Sequence, residues 1–355
     1  MTAFLSIDGS YGEGGGQILR STLSLSAITG RPVRIENLRA NRKKPGLAAQ
    51  HLTSVRAAAM LCDADMQGAE LGSQTLQFIP RKPVRAGDYS LDVAEAREGG
   101  SAGAAMLVLQ TLLLPLALAS GESTVILRGG THVAMSPSYD YVHDVWLPML
   151  GRMGVHAELS LVRSGWFPVG RGQVRLRIAG SAQLRPLRLE QRGPLRTVTG
   201  RALAANLPAH ICERMAHHAS DLLEQAGLKA DIEAAVLKAS CPGAGLYLTA
   251  HYQNCLAGFS AQGERGKPAE QVAEEACAAL LQHHRSGAAL EPHLADQLIL
   301  PAALCRDESI FSVERISPHL ITNAWVVERF GLARIDLVPA ADGTGLVKIL
   351  AGNAA

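Results

Sequence analysis

Five glycines fall between Gly9 and Gly16, wedged between a short apolar stretch, Phe4 to Asp8, and a segment with apolar residues at Ile18, Leu19, Leu23, Leu25 and Ile28. The first stretch reads as a strand. The second reads as a helix from Gln17 to Thr29, ended by Gly30 with Pro32 just beyond. Strand, glycine turn and helix in that order restrict the chain more than any other feature, because the helix must fold back over the sheet that the strand belongs to. The alternation then continues. Val33 to Leu38 reads as a strand, Leu47 to Cys62 as a helix, and Thr75–Ile79 and Tyr89–Val93 as strands that close this first unit. A similar order follows: a helix from Ala102 to Ser120, a strand at Thr124–Arg128, a helix from Ser136 to Met153, and strands near His156–Val162 and Gln173–Ile178. The class expected is α/β, with helices and strands in layers (α+β layered).

Around Ser181 to Pro186 the character changes. Leu187 to Leu290 has its own succession: a strand near Arg196–Leu203, a helix from Pro208 to Ala226, strands near Lys229–Val236 and Gly245–Gln253, and a helix from Pro268 to Ser286. About 100 residues of this kind suit a compact insert within the usual domain range. The chain then returns with a helix at Asp296–Leu304, a strand at Ile310–Glu314, a helix at Thr322–Phe330 and strands at Ala333–Pro339 and Leu346–Leu350.

Composition excludes several functions. The formal net charge is +2, so a nucleic-acid partner must be met by a local basic patch rather than a global field. Aromatic residues make up 4%, too few for extended stacking platforms. The six cysteines are dispersed with no C-x-x-C pair, which argues against a zinc site and a disulfide framework and fits a reducing cytoplasm. The longest apolar run, Ala104 to Ser120, contains Gln110 and Pro115 and reads as a buried helix rather than a membrane span. The N-terminus has no basic segment followed by an apolar run, so no secretory signal is expected.

Four segments carry candidate chemistry. Gly12-Glu13-Gly14-Gly15-Gly16-Gln17, between strand and helix, can bring backbone N–H groups and a helix N-terminus against a phosphate. It is not the dinucleotide fingerprint, since the third glycine would fall at Gln17, and the chain holds no P-loop. A tight turn needing glycine torsions explains it equally well. The basic loop Arg39 to Gly46, followed by Gln50-His51, presents arginine forks suited to phosphate, or is a solvated charge run. Pro318-His319-Leu320-Ile321-Thr322-Asn323 places an imidazole between a strand and a helix; neutral imidazole can attack phosphorus, while a capping role is commoner. His293-Leu294-Ala295-Asp296-Gln297 opens a helix, where Asp296 and Gln297 suit a hydroxyl or base edge, or simply the positive end of the helix dipole.

Taken in order, these segments resemble RNA 3'-terminal phosphate cyclases. The likeness runs from Asp8–Arg20 through Arg39–Leu47 and Gln50-His51, Glu70–Gln74, Leu109–Thr111, Gly129–Thr131 and Gly165–Pro168. It ends with Leu294–Gln297, His319–Asn323 and Val327–Phe330. The resemblance implies a large catalytic domain of three repeated βαβαββ units, residues 1–181 plus 288–355, interrupted by a smaller βαβαββ insert domain, residues 182–287. It implies that His319 attacks the α-phosphate of ATP and carries AMP, that AMP passes to an RNA 3'-phosphate, and that the ribose 2'-OH then closes a 2',3'-cyclic phosphate. It implies Glu13 at the divalent metal, Mg2+ or Mn2+. Gln110, His293, Leu294, Ala295, Asp296 and Gln297 would lie at the nucleotide, with Arg20, Arg39, Arg42, Gln50 and His51 at phosphate or RNA.

Three positions depart from the pattern: His293 where tyrosine is frequent, His132 where aspartate often follows Gly129-Gly130-Thr131, and Arg171 inside a glycine run. The partners expected are ATP and RNA ending in a 3'-phosphate, with no membrane; a homo-oligomer is compatible with the sequence. A non-catalytic cyclase-like protein of ribosome assembly would lack the histidine at 319. An enolpyruvyl transferase would share the topology without needing that histidine, and a plain RNA-binding module fits the neutral charge poorly.

Overall fold

A computed structural model describes residues 3–96 and 102–352 of the chain. Its frame is four four-stranded mixed sheets with helices packed against them. The first sheet comprises β1 (Leu5–Asp8), β2 (Val33–Glu36), β3 (Asp65–Gln67) and β4 (Leu76–Ile79), in the order β1-β2-β4-β3. Strands β1 and β2 are parallel and therefore need a crossover, which α1 (Gly16–Thr29) supplies; α2 (Ala49–Cys62) follows β2.

The second sheet follows the same succession with β5 (Asp88–Asp92), α3 (Ala105–Leu118), β6 (Ser123–Gly129), β7 (Ala157–Arg163) and β8 (Gly172–Ile178), ordered β5-β6-β8-β7. Its second helical segment is broken: α4 (Tyr139–Tyr141), a π-helical turn over Val142–Trp146, then α5 (Leu147–Arg152). Next in the chain comes β9 (Arg188–Leu189). The intervening segment holds β10 (Leu195–Ala205), α6 (His210–Gln225), β11 (Ala230–Leu237), β12 (Gly243–Tyr252), β13 (Leu256–Gln262) and α7 (Ala269–Ser286). The chain closes with α8 (Pro292–Ala303), β14 (Ser309–Val313), α9 (Pro318–Arg329), β15 (Ala333–Pro339) and β16 (Gly345–Ala351). Strand β9 pairs with β14 across the intervening segment, Leu189 opposite Phe311, in a sheet ordered β15-β16-β14-β9.

Several expectations need correcting. Tyr89–Val93 does not close the first sheet. The short, exposed β3 does that, and β5 opens the second sheet by pairing with β6. The segment expected to be a βαβαββ insert runs βαβββα instead. Its sheet order is β11-β10-β12-β13, so its first strand lies inside the sheet rather than at the edge. Strand β13 is not signalled by the sequence, because its small residues Ala257, Gly258 and Ala261 carry little strand propensity. Helices α8 and α9 each begin four residues earlier than the periodicity suggests, at Pro292 and Pro318. Proline is favoured in a first helical turn, where its missing N–H is no loss.

The core follows the two periodicities. In β6, Ser123, Val125 and Leu127 point inward while Thr124, Ile126 and Arg128 are half-buried, as period-two alternation requires. Helix α3 is apolar nearly all round and buried except at Gln110 and at its last residue, Leu118. Pro115 within it cannot donate to the Thr111 carbonyl, and that carbonyl accepts from Ser24 Oγ of α1 at 2.8 Å instead. The helix thus keeps its backbone satisfied by leaning on α1. Helices α1, α2 and α3 pack on one another, α9 packs on α1, and α8 packs on α9. This arrangement brings the starts of α1, α8 and α9 together. No helix among the described residues is long and apolar enough to cross a membrane.

Candidate active site

The glycines before α1 let three distant segments approach one turn. Gly12 has φ +60, and a Cβ there would fall 2.4 Å from Oγ1 of Thr322, the fifth residue of α9. A Cβ on Gly15 would meet Arg42 Nη2 at 2.7 Å, and one on Gly16 would meet His51 Nε2 at 2.4 Å. A side chain at Gly12 or Gly16 would displace these partners, whereas at Gly15 the flexible end of Arg42 has room to give way. Tyr11 stacks on Trp325 of α9 with ring centroids 4.2 Å apart, fixing the turn from its other side. From the sequence alone a tight turn and a phosphate cradle could not be told apart. Here the turn is the meeting point of the basic loop and the histidine segment.

His319 is the second residue of α9. Ser317 caps that helix by accepting from the Leu320 N–H at 3.1 Å. One oxygen of Glu13, Oε2, lies 3.2 Å from His319 Nδ1 and 3.3 Å from Arg42 Nη2. The first approach is an ion-pair distance without hydrogen-bond alignment, so Nδ1 is left with no hydrogen-bond partner among the described residues. Burial, together with Arg20, His293 and Arg42, holds the His319 imidazole below its ordinary value, with Glu13 acting in the opposite direction. A neutral ring at pH 7 follows from that balance.

A cleft of about 530 Å³ opens beside this histidine. Helix α1 lines it with Gln17 and Arg20, α3 with Leu107 and Gln110, and α8 with His293, Asp296 and Gln297. The facing wall comes from Pro137, Ser138 and Tyr141 before and within α4, and from Phe259 and Ser260 of β13. Three buried polar atoms on the first wall, Arg20 Nε, Gln297 Oε1 and His319 Nδ1, have no hydrogen-bond partner among the described residues. Buried polar groups in folded proteins are nearly always paired, so these three open valences beside one cleft are groups that a polar ligand there can satisfy. Asn323 stitches the helices beneath: it accepts from Ser21 Oγ at 2.6 Å and donates to the Asp296 carbonyl at 2.8 Å.

The expected residues separate into groups. Gln110, Arg20, His293, Asp296, Gln297 and His319 share the cleft. Leu294 and Ala295 are fully buried in the core and turn away from it. Burial first, then Glu291 and Glu13, push the Asp296 carboxyl well above the carboxylate range, against the pull of Arg20; this favours a protonated Asp296 able to donate. Burial also pulls Arg20 down to about 10, which leaves it charged at neutral pH.

His51 is buried. Its Nδ1 accepts from the Ala48 N–H at 3.3 Å, and burial with Arg39, Arg20 and Arg42 drives its imidazole down to about 3. It is therefore a neutral ring with its Nε2 turned toward the start of α1. Gln50 is engaged elsewhere, since its Oε1 accepts from the Ala104 N–H at 2.9 Å and so caps α3. Arg39 donates to the Gly46 carbonyl at 2.7 Å, and Lys43 and Lys44 are exposed.

Sequence reasoning missed Tyr141, Glu291, Glu314 and Arg315, all of which line the cleft. Glu291 was legible as an acid before Pro292, the pattern of a helix start, but the helix was expected to begin later. For the divalent ion, no group of three or more His, Cys, Asp or Glu gathers as a ligand set among the described residues. Glu13 beside His319 can still offer one carboxylate. That suits a hard cation which takes its other oxygens from phosphate and water.

The sequence also matches known proteins. The family described as RNA 3'-terminal phosphate cyclase matches residues 11–337. A protein of Methylococcus capsulatus named RNA 3'-terminal phosphate cyclase is 72% identical over 346 residues, covering 97% of this chain and 96% of its own. Proteins of the same name from Nostoc punctiforme and Salmonella agona are 56% and 44% identical; each match covers 93% of this chain, and 95% and 93% of the relatives respectively. The enolpyruvyl transferase NikO of Streptomyces tendae, a solved structure, aligns at 12% identity over 100% of this chain and 82% of its own, with a TM-score of 0.22, too weak a likeness to bear on the fold.

Proposed function

Since the chain belongs to the RNA 3'-terminal phosphate cyclase family, we propose that it converts RNA 3'-phosphate ends into 2',3'-cyclic phosphates with ATP, through an adenylate carried on His319. The observation that carries this reading is the neutral His319 at the cleft, with unpartnered buried polar atoms around it. Glu13 faces Nδ1, so Nε2 is the nitrogen left for attack on the α-phosphorus. The N–P bond forms as the bond to the β-phosphate oxygen breaks, and pyrophosphate leaves. An oxygen of the RNA 3'-phosphate then takes the AMP from the ring. Last, the neighbouring 2'-OH attacks the 3'-phosphorus, loses its proton and expels AMP. Only a ribose end can complete that step.

Phosphoryl transfer depends mainly on positioning and charge neutralisation. Arg20 and Arg42 supply fixed positive charge beside the nucleophile, and the start of α1 offers backbone N–H groups that no side chain caps. Asp296, whose carboxyl burial pushes upward, suits the uncharged part of the nucleotide together with Gln110, His293 and Gln297. A magnesium or manganese ion held by Glu13 and by phosphate oxygens would neutralise charge on the triphosphate. Arg39, Arg42 and His51 are assigned to the RNA phosphate, with the free amide of Gln50. Residues 182–287 are proposed to form an insert domain within a catalytic domain of residues 1–181 and 288–355. The buried free cysteines fit a cytoplasmic enzyme.

The test is covalent labelling. Purified protein incubated with ATP labelled at the α-phosphate and a divalent ion should acquire an acid-labile, alkali-stable label. RNA ending in a 3'-phosphate should discharge it with release of AMP. His319→Ala and His319→Asn should take up none while melting like wild type. Label retained in either variant would place the nucleophile elsewhere, and a folded wild type that never labels would point to a non-catalytic cyclase-like protein.

A further inference from the structure

We propose that Tyr141 and Glu291 are positioning residues, forming a strut by which the seating of β13 sets how α8 presents His293, Asp296 and Gln297 to the cleft. This rests on the reading of the cleft as the ATP site. Glu291 is 1% exposed and caps α8 with both oxygens. Its Oε2 accepts from the His293 N–H at 2.7 Å, and its Oε1 from the Leu294 N–H at 2.8 Å. The same Oε1 accepts from the Tyr141 hydroxyl at 2.5 Å. Serine or aspartate would cap the helix equally well. The longer glutamate lets one carboxylate hold both the helix and the tyrosine.

Tyr141 ends the three-residue α4, just before the π-helical turn. Single π-turns of this kind recur at functional sites. Its ring rests on Gly258 in the middle of β13, where a Cβ would fall 2.6 Å from Tyr141 Cδ2 and 2.9 Å from Cε2. Gly258 is buried and paired with Thr249 of β12, so the seat is a buried position on the edge strand of that sheet. Burial and Glu291 hold the phenol well above its ordinary value, so the hydroxyl stays a donor across any working pH. Contact therefore runs without a gap from the β13 backbone through a ring, a hydroxyl and a carboxylate to the first amides of α8.

Tyr141→Phe removes one oxygen and leaves the ring on Gly258. In the full chain without ligand, hydrogen exchange of the His293 and Leu294 amides should quicken. In the adenylation assay the KM for ATP should rise by about tenfold to a hundredfold, the size of one hydrogen bond to a charged acceptor, while kcat moves less. Gly258→Ala should reproduce both effects from a different sheet. Glu291→Asp keeps a helix cap but shortens the reach to the hydroxyl, and should behave like Tyr141→Phe. Unchanged exchange in Tyr141→Phe overturns the strut. Quickened exchange with an unchanged KM overturns its link to nucleotide. Failure of the cyclase reading would show separately, as a wild type that takes no label, and exchange would then decide the strut alone.

Discussion

One carboxylate oxygen shared by His319 and Arg42 sets the pH behaviour of the candidate nucleophile. The imidazole sits below its ordinary 6.5, held there by burial and neighbouring cations and opposed only by Glu13. The rate of self-adenylation should therefore be level through neutral pH and fall only at pH values under 6.5. Glu13→Gln removes the opposing charge, so the acid limb should move further down; a limb that stays in place or rises would show that Glu13 does not act on this ring. His51 makes a stability prediction. Its folded value of about 3 lies under the unfolded 6.5, so the unfolded chain binds more protons between the two. Stability is therefore lost as pH falls from 6.5 towards 3. Denaturant titrations across that window should give a shallower pH slope for His51→Gln than for wild type, whatever the absolute cost of the substitution. Neither behaviour was legible in the sequence, where a histidine beside arginines carries no sign of its burial.

At the level of elements, the glycine turn is a joint between α1 and α9. Gly12 and Gly30 both hold left-handed torsions, φ +60 and +70, but a Cβ at Gly30 would meet nothing within 4 Å whereas one at Gly12 would strike Thr322. Gly30→Ala should cost about 1–2 kcal/mol from backbone strain alone. Gly12→Ala should cost more than Gly30→Ala and also slow labelling, because the first turn of α9 that carries His319 must shift. Equal losses in denaturation, with labelling intact in both, would remove Gly12 from the site. The strand, turn and helix were readable from period and punctuation. What the turn touches was not, since Thr322 lies about three hundred residues along the chain and no local pattern records that approach.

Across the whole molecule, the intervening sheet is tied to the second one by buried charge. His132, fully buried, bonds through Nε2 to Asp140 Oδ2 at 2.8 Å and stacks on Trp166 with centroids 4.8 Å apart. Arg201 of β10 reaches Asp140 Oδ1 at 2.8 Å and also pairs with Asp144. His132 thus holds the aspartate that anchors β10. Asp140 is 4% exposed, so removing a partner leaves a buried charge poorly matched. Arg201→Met should destabilise by about 3 kcal/mol, and adding Asp140→Asn should restore part of that loss. A double-mutant cycle with no coupling would make the contact incidental. Tyr141, one residue after Asp140, lines the cleft, so this tie and the strut to α8 meet in the same short segment.

The sequence by itself determined the layered α/β class, the family and the residue types of the candidate site. Periodicity, punctuation and the ordered motifs are local, and they survive without knowledge of contacts. It did not place the starts of α8 and α9, because apolar spacing drew those helices four residues short of Pro292 and Pro318. Only the tertiary structure decided that β5 belongs to the second sheet and that the intervening segment runs βαβββα. Strand partners are chosen by long-range pairing, not by the strand's own residues. It alone decided that Leu294 and Ala295 face the core while Asp296 and Gln297 face the cleft, that His51 is uncharged, and that Gln50 caps a helix. Burial, charge state and orphaned polar atoms are properties of neighbours, and a chain acquires its neighbours only when it folds.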